Sequence, residues 1–344
     1  MSAPESRGRG RELAFRVVPT VLAVLMGVGI WSWWTSRAAE EAAEAGRGVN
    51  QRAFEAAYVE RGEPIPADGP REGYWGSRLG AKQPDTDAGW RESQVSVPGL
   101  VEIAANGTQE LPCGGCETLL ISGGSVGFGA YASSEDATWF AALQRRLVDA
   151  GAPVRVVVFA AGAWKAEQEA IAIRRALPHE RPARVLMMTG LNDLTNGYTA
   201  ADRFGTEAKG LDGEALPVWA HAGDWEARVE GFTRVVADLA AATNASGAEL
   251  VAVLQPGLFS KEPRSALEDE LLTLSARPWG TIDGLAAAYD ALAEATTALD
   301  GVTVIDCRAP FQGEAATTFA DLWHFADHGH RKLADCVADG LAGR

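Results

Sequence analysis

The chain has 344 residues, 47% of them hydrophobic, which is enough to bury one large core or two smaller ones. A formal net charge of −15 and a pI near 4.8 argue against a nucleic-acid partner, since phosphate backbones are recognised by clustered Lys and Arg. The acidic balance favours solubility, and the four cysteines, an even count, fit an oxidising compartment.

Residues 1–16 carry Arg7, Arg9, Arg11 and Arg16, and an apolar run follows over residues 17–34. That run is near the lower end of the ~17–25 residues a transmembrane helix needs. Trp31, Trp33 and Trp34 cluster at its far end, where aromatic rings prefer the headgroup layer. The Arg excess predicts a cytoplasmic N-terminus, a single-pass anchor over 17–34 and an extracytoplasmic remainder. A cleaved signal peptide, with Ser36-Arg37-Ala38 as the cleavage site, is the alternative, and it would give a secreted protein.

Residues 35–112 read as a stalk and an irregular linker. Residues 38–60 are rich in Ala and Glu, which predicts a juxtamembrane helix. From Arg61 to Pro112 the composition turns to Pro, Gly, Asp and Trp without periodicity, so this part is a linker or a segment packed through Tyr74, Trp75 and Trp90. Cys113 and Cys116 then form Cys-Gly-Gly-Cys just before a strand. The most economical disulfides are Cys113–Cys116 and Cys307–Cys336. A thioredoxin-like redox pair would open a helix after a strand, whereas here a strand follows the cysteines.

A domain over 113–344 shows regular alternation. Strands are predicted at Thr118–Ser122, Val154–Ala160, Arg184–Thr189, Glu249–Gln255 and Val302–Asp306. Helices are predicted near Ser134–Ala150, Ala166–Leu177, Trp225–Thr243, Ile282–Leu299 and from Gly329 onwards. Five buried-type strands separated by helices specify an α/β fold with a five-stranded parallel sheet covered on both faces. Ligands bind such sheets beyond the carboxyl ends of the strands. The long connections 200–224 and 256–281 would form rims over that crevice.

Four segments fall at or after those strand ends. Gly123-Gly124-Ser125 closes the first strand and can expose a serine whose own N–H is free to donate; an ordinary Gly-Ser turn is the alternative. Gly123 to Gly127 also fits Gly-x-Ser-x-Gly, although the nucleophile elbow of α/β-hydrolases follows later strands. Gly162 ends the second strand and can aim its N–H at a developing oxyanion. Asn192, in Gly190-Leu191-Asn192-Asp193, can supply an amide donor or simply cap a helix. Asp321-Leu322-Trp323-His324 can form a base with its orienting carboxylate. Asp327 and His330 repeat that spacing, and His324, His328 and His330 could alternatively hold a metal ion.

The ordered set resembles the SGNH, or GDSL-type, hydrolase superfamily over residues 117–344. The resemblance implies a flavodoxin-like three-layer α/β/α fold, with Ser125 as nucleophile, His324 as base and Asp321 as its orienter. It implies an oxyanion hole made of the Ser125 N–H, the Gly162 N–H and the Asn192 amide, and neither metal nor cofactor. It favours Asp321 and His324 over Asp327 and His330, because Gly329 falls five residues after His324. Two positions depart from the family pattern: Gly124 stands where Asp is usual, and Ala160 where Asn is usual. The implied activity is serine-dependent hydrolysis of acyl esters, falling below about pH 6–7 as the base protonates. Extracytoplasmic carbohydrate O-acyl esters are the expected substrates, with Trp164 and Trp323 as aromatic walls or core. An O-acyltransferase, a lipid esterase and a catalytically impaired glycan-binding module are the alternatives.

Overall fold

A computed structural model describes residues 48–66, 82–85, 89–92, 94–97, 101–104, 107–195, 225–275 and 282–343. The expected anchor at 17–34, the aromatic residues Tyr74 and Trp75 and the rim at 200–224 lie outside the described residues. Among the described residues, no helix is long and apolar enough to cross a membrane. The described residues from Val49 onwards form one unit by contact.

The main sheet contains β5 (Thr108–Leu111), β6 (Glu117–Gly123), β7 (Val154–Ala160), β8 (Arg184–Thr189), β9 (Glu249–Leu254) and β10 (Val302–Asp306). Four shorter strands precede it and pair as two antiparallel ribbons: β1 (Lys82–Asp85) with β2 (Gly89–Glu92), and β3 (Val95–Val97) with β4 (Val101–Ile103). The spatial order of the main sheet is β10-β9-β8-β6-β7-β5. Its five parallel strands are those read from the sequence. The expectation of a five-stranded, purely parallel sheet is nevertheless corrected, because β5 adds a sixth strand antiparallel to β7. An edge strand needs a ladder on one side only, so the polar stretch Thr-Gln-Glu-Leu can serve without an apolar run. Glu110 of β5 takes an ion pair from Arg155 of β7 at 2.6 Å, across the same edge.

Alternation along the strands builds two cores. Leu119, Ile121, Val156, Val158, Leu186, Met188, Val251 and Val253 face one side and pack under α2 (Trp139–Asp149) and α8 (Asp327–Ala342). Leu120, Val157, Val185, Met187, Leu250 and Leu254 face the other, under α3 (Ala166–Glu180), α5 (Trp225–Ala245) and α7 (Ile282–Thr297). A period of two along each strand yields a three-layer α/β/α arrangement. Two helices complete the set. The short α4 (Leu191–Thr195) follows β8, and α6 (Ala266–Ser275) occupies part of the connection read as a loop over 256–281. The chain enters at β6, steps to β7, then crosses to β8 on the other side of β6. The reversal opens a crevice at the carboxyl end of β6.

The stretch read as stalk and linker contributes, besides the two ribbons β1–β2 and β3–β4, the edge strand β5 and a helix α1 at residues 48–59. Val49, Ala53, Phe54, Ala57 and Tyr58 are buried at spacings of three and four, which lays one helical face on the domain. Glu60, just beyond, accepts from the Thr317 amide at 2.6 Å and from its hydroxyl at 2.9 Å.

Both expected disulfides are present, Cys113–Cys116 and Cys307–Cys336. The second ties the end of β10 to α8 and closes a loop that contains Asp321 and His324. Within α8, His330 is fully buried, and its Nε2–H donates to the Ala130 carbonyl at 3.0 Å. Burial pushes its imidazole down to about 3, against a smaller opposing effect of that hydrogen bond. On the opposite face, burial pushes the Asp193 carboxyl up to about 7.

Two outcomes follow. Replacing Cys307 and Cys336 together by Ala should lower unfolding free energy by about 2–4 kcal/mol in urea under oxidising conditions; an unchanged midpoint would contradict the loop-closure argument. The second concerns His330, neutral in the folded chain down to about pH 3, whereas the unfolded chain takes up that proton near pH 6.5. The unfolded state therefore binds more protons in this window, and stability falls as pH falls. Relative to His330→Gln, the wild type should lose about 1.4 kcal/mol per pH unit between those limits. The raised carboxyl of Asp193 acts in the opposite direction but is common to both proteins. Parallel stability curves would contradict the assignment.

Candidate active site

Ser125 lies two residues beyond β6, in a run of tight turns rather than at the start of a helix. Phe128 N–H donates to the Gly124 carbonyl at 3.0 Å, and Ala130 N–H to the Ser125 carbonyl at 2.9 Å. The helix expected from Ser134 begins at Trp139, whose indole N–H returns to the Val126 carbonyl at 2.8 Å. This compact loop holds the serine at the crevice.

His324 and Asp321 come from the segment between the second 3-10 turn (Ala309–Phe311) and α8. The Asp321 carboxylate accepts from the backbone N–H groups of Trp323 at 2.8 Å and His324 at 2.7 Å. Its other oxygen accepts from His324 Nδ1 at 2.7 Å, and His324 Nε2 stands 2.7 Å from Ser125 Oγ. Burial pushes the Asp321 carboxyl up, but the imidazole and the two amides outweigh burial and hold it below its ordinary range. An ionised Asp321 fixes the proton of the neutral ring on Nδ1 and leaves the Nε2 lone pair to accept from the serine hydroxyl.

Further groups brace the segment. Glu268 of α6 is fully buried, accepts from the amides of Thr318 at 2.9 Å and Phe319 at 3.1 Å, and pairs with the equally buried Lys261. Leu258 N–H donates to the Leu322 carbonyl at 3.0 Å. A Cβ placed on Gly329 would meet Phe325 Cβ at 2.5 Å, so only glycine lets the first turn of α8 close over Phe325.

Asn192 sits in α4, immediately after β8. Its amide donates one hydrogen to the Trp164 carbonyl at 2.8 Å, which fixes the side chain and leaves the second hydrogen for another acceptor. Gly124 makes this possible, since a Cβ there would stand 2.2 Å from Asn192 Nδ2. Gly162 lies in the turn between β7 and α3, two residues before the carbonyl that holds Asn192. Ala163 next to it has a left-handed φ of 69°. Ala160, the other departure, is a buried residue at the end of β7, in register with Gly123 of β6. Asp193 points away from Ser125: both of its oxygens accept from Ala166 N–H, at 3.1 and 3.2 Å, at the start of α3.

The structure thus brings together Ser125, His324 and Asp321, and sets Asn192 beside Gly124. It separates the competing pair. Asp327 accepts from the Ser133 amide at 2.8 Å and hydroxyl at 2.5 Å, while His330 is committed to Ala130. His328 faces Glu314 at 3.1 Å, so the three clustered histidines diverge to three different partners. Of the two candidate aromatic walls, Trp164 is 4% exposed and packs with Ala161, Ile171 and Ala172 as core. Trp323 remains partly exposed and stands edge-on to Phe259 at 6.1 Å. Sequence reasoning missed Tyr131, whose ring stacks on the His324 imidazole at 4.9 Å and 8°. Nothing in Gly129-Ala130-Tyr131 distinguishes that aromatic residue from a core residue.

A family model described as the GDSL-like Lipase/Acylhydrolase family matches residues 122–332. No curated protein matches the chain. Similar solved structures include one titled TesA, at 20% identity over 66% of this chain and 99% of that one, with a TM-score of 0.42. Another is an acetyl xylan esterase, AlAXEase, at 14% identity over 65% and 99%, with a TM-score of 0.42. A third is the lipase/acylhydrolase from Enterococcus faecalis, at 15% over 67% and 96%, with a TM-score of 0.44. Likenesses at these scores carry no weight. The family match, over more than half of the chain, does: the chain belongs to the GDSL-like lipase/acylhydrolase family and is an esterase of the SGNH type.

Proposed function

We propose that the chain is a serine esterase acting by double displacement, with Ser125 as nucleophile, His324 as general base and acid, and Asp321 as the orienting carboxylate. The observation that carries this reading is the continuous relay from Ser125 Oγ to His324 Nε2 at 2.7 Å and from Nδ1 to Asp321 at 2.7 Å. Ser125 attacks the ester carbonyl as its proton passes to His324 Nε2. The resulting imidazolium then protonates the leaving alcohol, and an acyl-serine remains. Water, deprotonated by the same nitrogen, releases the acid and restores Ser125. The negative charge on the tetrahedral oxygen is taken by the Ser125 N–H, the Gly162 N–H and the free hydrogen of the Asn192 amide.

The proposed substrates are O-acyl esters of carbohydrates outside the cytoplasmic membrane, and the apolar run at 17–34 is the proposed tether or export signal. Support comes from the arginines that precede that run, from two disulfides of an exported kind, and from the partly exposed Trp323 beside the relay.

Acetylated xylo- and gluco-oligosaccharides, offered with and without a free sugar acceptor, test the reading. Free acid is expected as the product. Acylated acceptor as the main product would instead make the chain a transferase. Ser125→Ala should remove turnover by a factor of about 10³ or more, and Asn192→Ala should lower kcat about 10²–10³-fold with little change in KM. Gly124→Ala displaces the same amide, so the double variant should be no slower than Asn192→Ala alone. Additive losses would show that Gly124 serves something other than Asn192.

A further inference from the structure

The catalytic histidine of the proposed relay has two ring nitrogens, both spoken for, and a face. Hydrogen bonds to Ser125 and Asp321 fix the ring within its plane but restrain tilting about the axis joining the two nitrogens only weakly. The face is covered by Tyr131, stacked at 4.9 Å with an interplanar angle of 8°. Tyr131 is presented there by a left-handed backbone, φ 70°, a conformation a bulky residue adopts only when its surroundings impose it.

Part of those surroundings comes from α1, which precedes the residues matched by the family. Phe54 of α1 is buried and lies 6.4 Å from the Tyr131 ring, and Tyr58, one turn on, packs 5.1 Å from Phe54. The helix is pinned at its far end. Glu60 holds Thr317, and Arg61 donates to the Thr317 carbonyl at 2.5 Å and forms an ion pair with Glu314. On the other side of Tyr131, Ser133 is bound through both its amide and its hydroxyl to Asp327. Tyr131 therefore packs against α1 in a loop whose far side is tied to the start of α8, with its ring laid on His324.

We propose that Tyr131 is a positioning residue for His324, and that α1 is the clamp that holds it in place. The inference rests on the relay reading above. It also gives residues 48–61 a part in the active site rather than in a stalk. The stacked ring keeps the imidazole coplanar with its two partners. It also presents a π face to the imidazolium that forms when Ser125 is deprotonated, which favours the charged ring. The titratable groups facing His324 are Asp321 on its own segment, His330 from α8, which burial keeps neutral, and Ser125 and Tyr131 from the loop after β6. The Asp327 carboxylate of α8 is turned onto Ser133 and the Tyr58 hydroxyl, and Glu60 and Arg61 of the α1 end are turned onto Thr317 and Glu314.

The test is the rate at which a fluorophosphonate labels Ser125, followed from pH 5 to 9 in the full chain and in Tyr131→Phe, Tyr131→Leu and Phe54→Leu. Tyr131→Leu should label about tenfold more slowly at neutral pH, with its acid limb displaced about half a unit towards lower pH. Tyr131→Phe keeps the stacked face and should stay within about twofold of wild type with an unmoved limb. Phe54→Leu, which loosens the clamp and leaves the loop after Ser125 unaltered, should shift the limb in the same direction by a smaller amount. A Tyr131→Leu or Phe54→Leu protein that labels at the wild-type rate with the wild-type limb overturns the proposal. So does a loss of rate without a moved limb, which is what a merely structural role would give. A wild-type chain that takes no label at all instead defeats the relay reading on which the proposal rests.

Discussion

The arrangement depends on one carboxylate that does three jobs within four residues. Asp321 accepts from two consecutive backbone N–H groups, those of Trp323 and His324, and from the ring of the same His324. The first two bonds fold Asp-Leu-Trp-His into a tight turn, and the third uses that turn to aim the imidazole. Orientation of the imidazole is thus a local property of the chain. What remains for the fold is to carry this turn to within 2.7 Å of Ser125.

The fold does so from two directions. The reversal of strand order at β6 places Ser125 at the crevice, where the carboxyl ends of β7 and β8 bring Gly162 and Asn192 alongside. The His324 segment arrives from the end of the domain and is held by independent ties. The Cys307–Cys336 bridge closes its base, the buried Glu268 captures the amides of Thr318 and Phe319, and α1 closes over its outer side. The buried Lys261 balances the charge of Glu268, whose other oxygen is left to the amides of Thr318 and Phe319.

Much of this was legible in the sequence for a physical reason. Four of the five parallel strands are largely buried on both faces, β10 at the sheet edge less so, and all read as short apolar runs. The turn residues are legible by what their side chains do or leave out: Gly124 leaves room for the Asn192 amide, and Asp321 accepts from two amides of its own turn. Gly329, which favoured His324 over His330, turns out to be the contact point of α8 with Phe325. The parts that were not legible are those whose signal depends on tertiary partners. β5 is four polar residues whose strand character comes from pairing with β7. α1 was read as helix, but its Ala-rich face gave no sign that it packs on the domain. Tyr131 has no sequence signature, because its role lies in a stacking geometry set by residues far away along the chain.

The central claim is that Ser125 is made nucleophilic by His324. Intact and peptide mass measurement after fluorophosphonate treatment of the wild type, His324→Ala and Asp321→Asn tests it most directly. The account predicts a single adduct on Ser125 in the wild type, none on the same timescale in His324→Ala, and slow formation in Asp321→Asn. A folded wild type without an adduct, or an adduct on Ser125 that forms equally fast without His324, would contradict it.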